Sequence, residues 1–285
     1  MAVFGWLKSW ALTNSSGQHT SSSPPPSPET EWQRYGRYLW VAIFIAALGG
    51  AAFAAKPFLF PSGYGDWAAI VVAGDWHDHD GNASEIFDNA RKDVSAALVK
   101  IGFKPDHVLE FSVRPERYSD PHPFDSDYTS IGVSLADLAD RERSGCLLYF
   151  SSHGSPAGLV LGDTTLPPQR LAAMVNAICG DRPTIVVISA CFSGVFVPAL
   201  AAPNRMILTA ARPDRTSFGC GGTNRYPYFD SCFLAASTQA TDFDDLADRT
   251  RDCVGVTERA TGMTPPSDPQ ISIGSSIEAH LPGWG

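Results

Sequence analysis

Basic residues are scarce in this chain. Lysine and arginine number 21 against 30 aspartates and glutamates, a formal net charge of −9 at pH 7. Nucleic-acid binding needs Lys and Arg clustered on one face, so no nucleic-acid partner is expected. An internal repeat is also missing. No Gly-x-Ser-x-Gly elbow surrounds Ser151, Ser152 or Ser155, which argues against a serine nucleophile there. The loop Asp75-Trp76-His77-Asp78-His79-Asp80 has the composition of a metal site, yet no matched Cys or His pair elsewhere completes one. No metal or cofactor is therefore expected, and Trp76 or His77 is better suited to touching substrate. Cysteine is absent from the first 140 residues, although six follow.

Residues 1–38 hold the Ser/Thr/Pro-rich tract that includes Ser21-Ser22-Ser23-Pro24-Pro25-Pro26. Such a tract buries too little apolar surface to offset its chain entropy, so a disordered tail is expected. The segment Leu39 to Ala55 carries no charge and is bounded by Arg37 and Lys56. That is near the lower limit of the roughly 17–25 residues a membrane helix needs. With Lys8, Arg34 and Arg37 before it, the flanking charge keeps the N-terminus cytoplasmic. The expectation is a single-pass anchor within residues 39–60, contacting the inner (plasma) membrane through 39–55, with the remainder periplasmic or extracellular. A cleaved signal ending near Ala52-Phe53-Ala54 and a buried core helix are the alternatives. Residues 1–38 are long for the former, and Gly49-Gly50 weakens the latter.

From Asp66 the pattern changes to one domain over 66–285. Apolar runs at Ala68–Ala73, Val108–Val113, Cys146–Ser152, Thr184–Ala190 and Met206–Ala210 read as strands. Between them lie helical patterns. One is expected to start at an Asn82 cap supported by Glu85 and to stop at Gly102. Another covers Leu135 to Arg143, and a third follows Pro167-Pro168 and ends at Gly180. A helical stretch then runs from Phe229 through Arg259, and Gln270–Ile273 is a last extended segment. Continuously apolar strands alternating with helices imply an α/β fold whose mostly parallel sheet is covered on both faces.

Two of these strands end alike. Leu147-Leu148-Tyr149-Phe150 leads into Ser151-Ser152-His153-Gly154, and the run before Ile188 leads into Ser189-Ala190-Cys191-Phe192-Ser193-Gly194. Parallel sheets expose reactive groups at their strand ends. A thiol beside an imidazole is the minimal apparatus for covalent acyl transfer. With Cys191 as nucleophile, five cysteines remain, enough for at most two bridges and one spare thiol. Outside the cytoplasm Cys146, Cys179, Cys220, Cys232 and Cys253 could pair, in an order the sequence does not fix; small buried hydrophobes are the other use.

This pair of motifs resembles the legumain-like cysteine peptidases of the caspase-type clan, over about Trp67 to Ile273. Thr209-Ala210-Ala211-Arg212-Pro213 is similar to one wall of that family's specificity pocket, and the helix with Asp88-Asn89-Ala90-Arg91-Lys92-Asp93 to its first helix. The resemblance implies a caspase-like three-layer fold and an endopeptidase acting on protein or peptide through Cys191, His153 and a thioester. It places the oxyanion hole at the backbone of Gly154 and Cys191, and Ser217, Phe218 and Asp230 in the primary pocket. Ser189 and Asn89 stand where legumains carry a glutamate and, approximately, an arginine. A lone Asp230 would then favour Arg or Lys before the scissile bond. A transpeptidase using the same dyad, and a catalytically silent binding domain, are the alternative functions.

Overall fold

The computed structural model describes residues 63–119 and 122–284. The expected tail (1–38) and anchor (39–60) lie outside the described residues. Among those described, no helix is long and apolar enough to cross a membrane.

Among the described residues seven strands form the central sheet: β1 (Trp67–Ala73), β2 (Val108–Ser112), β3 (Phe124–Asp125), β4 (Gly145–Ser151), β8 (Thr184–Ser189), β9 (Arg205–Thr209) and β10 (Gln270–Ile273), in the order β10-β9-β8-β4-β1-β2-β3. Only β10 runs antiparallel, against β9. Short strands β5 (Gly154–Ser155), β6 (Gly158–Leu161) and β7 (Thr164–Leu166) make a separate antiparallel sheet that the sequence pattern does not announce.

Alternation along the strands divides the core into two layers. Ala69 and Val71 of β1, Leu147 and Tyr149 of β4, and Ile185 and Val187 of β8 face α1 (Ile86–Ile101), α5 (Tyr228–Ser237) and α6 (Phe243–Thr261). Their neighbours Ile70, Val72, Leu148, Phe150, Val186 and Ile188 face α2 (Tyr128–Arg141), α3 (Pro168–Ile178) and the one-turn α4 (Val197–Leu200). Every residue of β1, β4, β8 and β9 is buried. Each large aliphatic side chain so placed contributes about 1.5–3 kcal/mol of hydrophobic stabilisation.

One disulfide staples each helical layer: Cys146 of β4 to Cys179 after α3, and Cys232 of α5 to Cys253 of α6. Closing loops of 33 and 21 residues stabilises by about 3–4 kcal/mol each in the chain-entropy account.

Several helix boundaries depart from the sequence pattern. α1 begins at Ile86 without a side-chain cap. Asn82 instead donates its backbone N–H to the Asp78 carboxylate at 2.9 Å, and the Glu85 carboxylate is taken by Arg114, Arg117 and Tyr118. Tertiary partners thus displace the expected capping box. α2 begins seven residues before Leu135, because Asp127 accepts from the N–H groups of Thr129 and Ser130 (2.8 and 3.1 Å) and starts a helix through residues of weak helical preference. The expected helix from Phe229 to Arg259 is two helices, with a new start capped by Asp242.

Candidate active site

Strands β4 and β8 are parallel neighbours, and Ser151 pairs with Ser189 at the end of their ladder. His153 and Cys191 each follow two residues later, so both emerge at the carboxyl edge of the sheet. They line one cavity of about 430 Å³. A larger hollow of about 610 Å³ beside Arg212, Arg251 and Arg259 contains neither.

Cys191 belongs to no bridge and is partly exposed. The Ser217 N–H donates to its Sγ at 3.3 Å, and the Ser217 hydroxyl lies 3.5 Å from the sulfur, so the loop after β9 orients the thiol. The chain reverses sharply here: Phe192 sits in the left-handed region (φ 57°, ψ 13°), a conformation a bulky residue holds only when its surroundings impose it. Those surroundings are the same loop. Arg215 accepts the Phe192 N–H at 2.8 Å, and Ala211 accepts that of Gly194 at 2.8 Å. The Cys191 N–H itself donates to no group among the described residues.

Nε2 of His153 lies 3.1 Å from the His77 carbonyl, and Phe87 packs against the ring at 5.0 Å, edge to face. A carbonyl only accepts, so Nε2 carries the proton in this contact. Gly154 packs its Cα against the Cys191 peptide: a Cβ there would lie 2.2 Å from the Cys191 carbonyl oxygen and 3.0 Å from the Ala190 Cβ. Gly154→Ala is therefore expected to push the His153 and Cys191 segments apart. A displacement of an ångström lowers turnover about 100-fold. A variant within threefold of the parent in kcat/KM would contradict this.

Beneath both segments lies Asp230 of α5, with no exposed surface. Its Oδ1 accepts from Tyr149 at 2.6 Å, and its Oδ2 from Ser189 at 2.6 Å and Ser151 at 3.1 Å. One carboxylate oxygen thus ties together the paired strand ends two residues upstream of His153 and of Cys191. Burial raises the carboxyl to about 6, with the three hydroxyls opposing a further rise. Burial, then the adjacent carboxylate, holds the Tyr149 phenol well above the ordinary tyrosine range, so it remains a donor.

A carboxyl raised from 3.8 to about 6 contributes stability that is complete below about pH 4 and is lost as pH rises through about 6. Positioning of the two strand ends runs the other way, because only the ionised carboxylate accepts all three hydroxyls. Asp230→Asn should lower kcat/KM about tenfold, the order expected for a hydrogen bond to a charged group, and Asp230→Glu should recover part of it. The variant's thermal midpoint should lose the parent's decline between about pH 4 and 6. Parallel midpoint-versus-pH curves for the two proteins would refute this role.

The side chains expected around substrate divide into two groups. Ser217 and Phe218 line the cavity. Ser189 and Asp230 are buried below it, and Asn89 donates to the Arg225 carbonyl at 3.2 Å instead. The Ser189 hydroxyl donates to Asp230 at 2.6 Å, so the two side chains satisfy each other below the cavity. Tyr149, Tyr228 and Met263 join the site without a motif in the sequence that points to them. Tyr149 had one sequence signal, a hydroxyl inside an otherwise apolar strand. Among the described residues, no group of three or more His, Cys, Asp or Glu is arranged to hold a metal ion.

No curated protein matches this sequence. Among solved structures, the crystal structure of caspase-1 from Spodoptera frugiperda is similar, with a TM-score of 0.53 and 17% identity over 75% of this chain and 89% of that one. At that identity the likeness is one of fold, a caspase-like α/β architecture. The Peptidase C13 family model matches residues 77–253, a span that holds both strand ends, the loop behind the thiol and the helix bearing Asp230. With well over half of its length matched, the chain belongs to the peptidase C13 family of cysteine peptidases.

Proposed function

We propose that this protein is an endopeptidase in which Cys191 is the nucleophile and His153 the proton carrier. The observation that carries the reading is the register of β4 and β8, which brings both residues to one cavity. Sulfur attacks the peptide carbonyl as the thiol proton passes to the imidazole. The tetrahedral oxyanion accepts the Cys191 N–H, which has no partner among the described residues, and the N–H of Gly154. Collapse breaks the C–N bond, with His153 protonating the leaving amine and a thioester remaining on Cys191. Water then attacks the thioester, giving the carboxylic acid and restoring the thiol.

The test uses the full chain and an internally quenched peptide library, with fragments identified by mass spectrometry. Internal cleavage, blocked by a thiol-directed electrophile that modifies Cys191, is expected. Cleavage that persists after complete modification of Cys191 would overturn the assignment, as would no cleavage by unmodified protein.

We also propose that the peptidase domain works outside the cytoplasm, tethered through residues 39–55. The two disulfides support an oxidising compartment. Protease accessibility of the domain in intact spheroplasts tests this, and protection there would refute it.

A further inference from the structure

The cavity beside Cys191 contains no Asp, Glu, Lys or Arg in its lining. Its apolar walls are Phe218, Cys220, Tyr228 and Met263; Thr216, Asn224 and His79 add polar groups to the lining, and Ser217 touches the thiol. We propose that it receives an uncharged, apolar side chain from the residue before the scissile bond. This deepens the endopeptidase reading and rests on it.

Several nearby charges are already engaged, and His79 of the lining lies 3.3 Å from the Asp80 carboxylate. The Asp230 carboxylate is fully buried and takes three hydroxyls. Arg91 is buried against Asp88 and Glu110. Arg225 pairs with Asp93 at 2.9 Å. Asp78, in the loop after β1, accepts the N–H groups of Asp80 and Asn82 at 3.0 and 2.9 Å. A guanidinium, ammonium or carboxylate entering the cavity would give up its water without gaining a counter-charge, a penalty that apolar side chains do not incur.

The walls are also held in place. Gly219 takes φ +88° and also leaves room for the Tyr228 ring, since a Cβ there would lie 2.4 Å from its Cδ1. The Tyr228 N–H donates to the Phe218 carbonyl at 3.0 Å, and the His79 N–H to that of Cys220 at 3.1 Å. The loop is thus pinned to α5 on one side and to the loop after β1 on the other. A preformed apolar cavity gains affinity because little ordering remains when ligand enters.

The experiment is a series of peptidyl acyloxymethyl ketones, identical except for Leu, Met, Phe, Asn, Asp, Lys or Arg beside the electrophile. The rate of Cys191 labelling in the full chain is read by mass spectrometry. Leu, Met or Phe should label at least about tenfold faster than Lys, Arg or Asp, the discrimination expected of one hydrophobic pocket. Fastest labelling by a basic, acidic or Asn probe overturns the proposal while leaving the peptidase reading intact. If no peptidyl probe labels although iodoacetamide alkylates Cys191, the peptidase reading fails and the proposal falls with it. Phe218→Asp should reverse the order toward Lys and Arg, and an unchanged order in that variant, with labelling retained, also overturns it.

Discussion

Replacing Cys191 with alanine should lower kcat/KM by roughly 10⁴-fold or more, the scale on which removal of a covalent nucleophile acts. The structure gives a reason to expect the fold to survive. Cys191 is only partly buried, is in no disulfide, and contributes one side-chain contact cluster, with Ser217. The Phe192 turn is held by backbone bonds to Ala211 and Arg215 that the substitution does not touch. The measurement is therefore paired: peptide turnover beside a thermal midpoint within a few degrees of the parent. Substantial turnover in a folded Cys191→Ala protein would remove the sulfur from the mechanism.

His153→Ala is expected to reduce peptide turnover about 10²–10⁴-fold, the usual contribution of a positioned acid–base group. Its surroundings separate a chemical role from a packing role. The ring contacts Phe87 and the His77 carbonyl, so deletion opens space at the sheet edge without disturbing the two core layers. A proton donor matters most when the leaving group is a poor one. An amine must be protonated before it departs, whereas an activated phenol leaves as its anion. The loss should thus be much smaller for an activated aryl ester than for a peptide of the same sequence. Equal losses on both substrates would show that His153 acts by holding the site's shape.

Local pattern made much of this molecule readable. Ala68–Ala73 and Thr184–Ala190 are apolar on both faces and so had to be covered strands, matching β1 and β8 within a residue or two. The positions of His153 and Cys191 at strand ends followed from where those apolar runs stop. Helix starts were less legible, since a cap is a competition among partners. Glu85 is drawn to Arg114, Arg117 and Tyr118, which no local rule anticipates.

Charge placement was the least legible of all. Placed by the family resemblance alone, Asp230 is a pocket acid that would attract a cationic substrate. In three dimensions it meets Tyr149, Ser151 and Ser189, separated from it by 81, 79 and 41 positions, and leaves the cavity lining without a carboxylate.

Short-range periodicity, strand ends and composition by themselves determined the α/β layering, the acidic balance and the two side chains brought to the sheet edge, because these depend on residues close in the chain. Only the tertiary structure decided which cysteines pair, how the thiol is oriented by Ser217, and whether a carboxylate faces substrate or binds the scaffold. Those outcomes depend on distances across the sheet and on which polar groups lose water together, and neither quantity exists until the chain has folded.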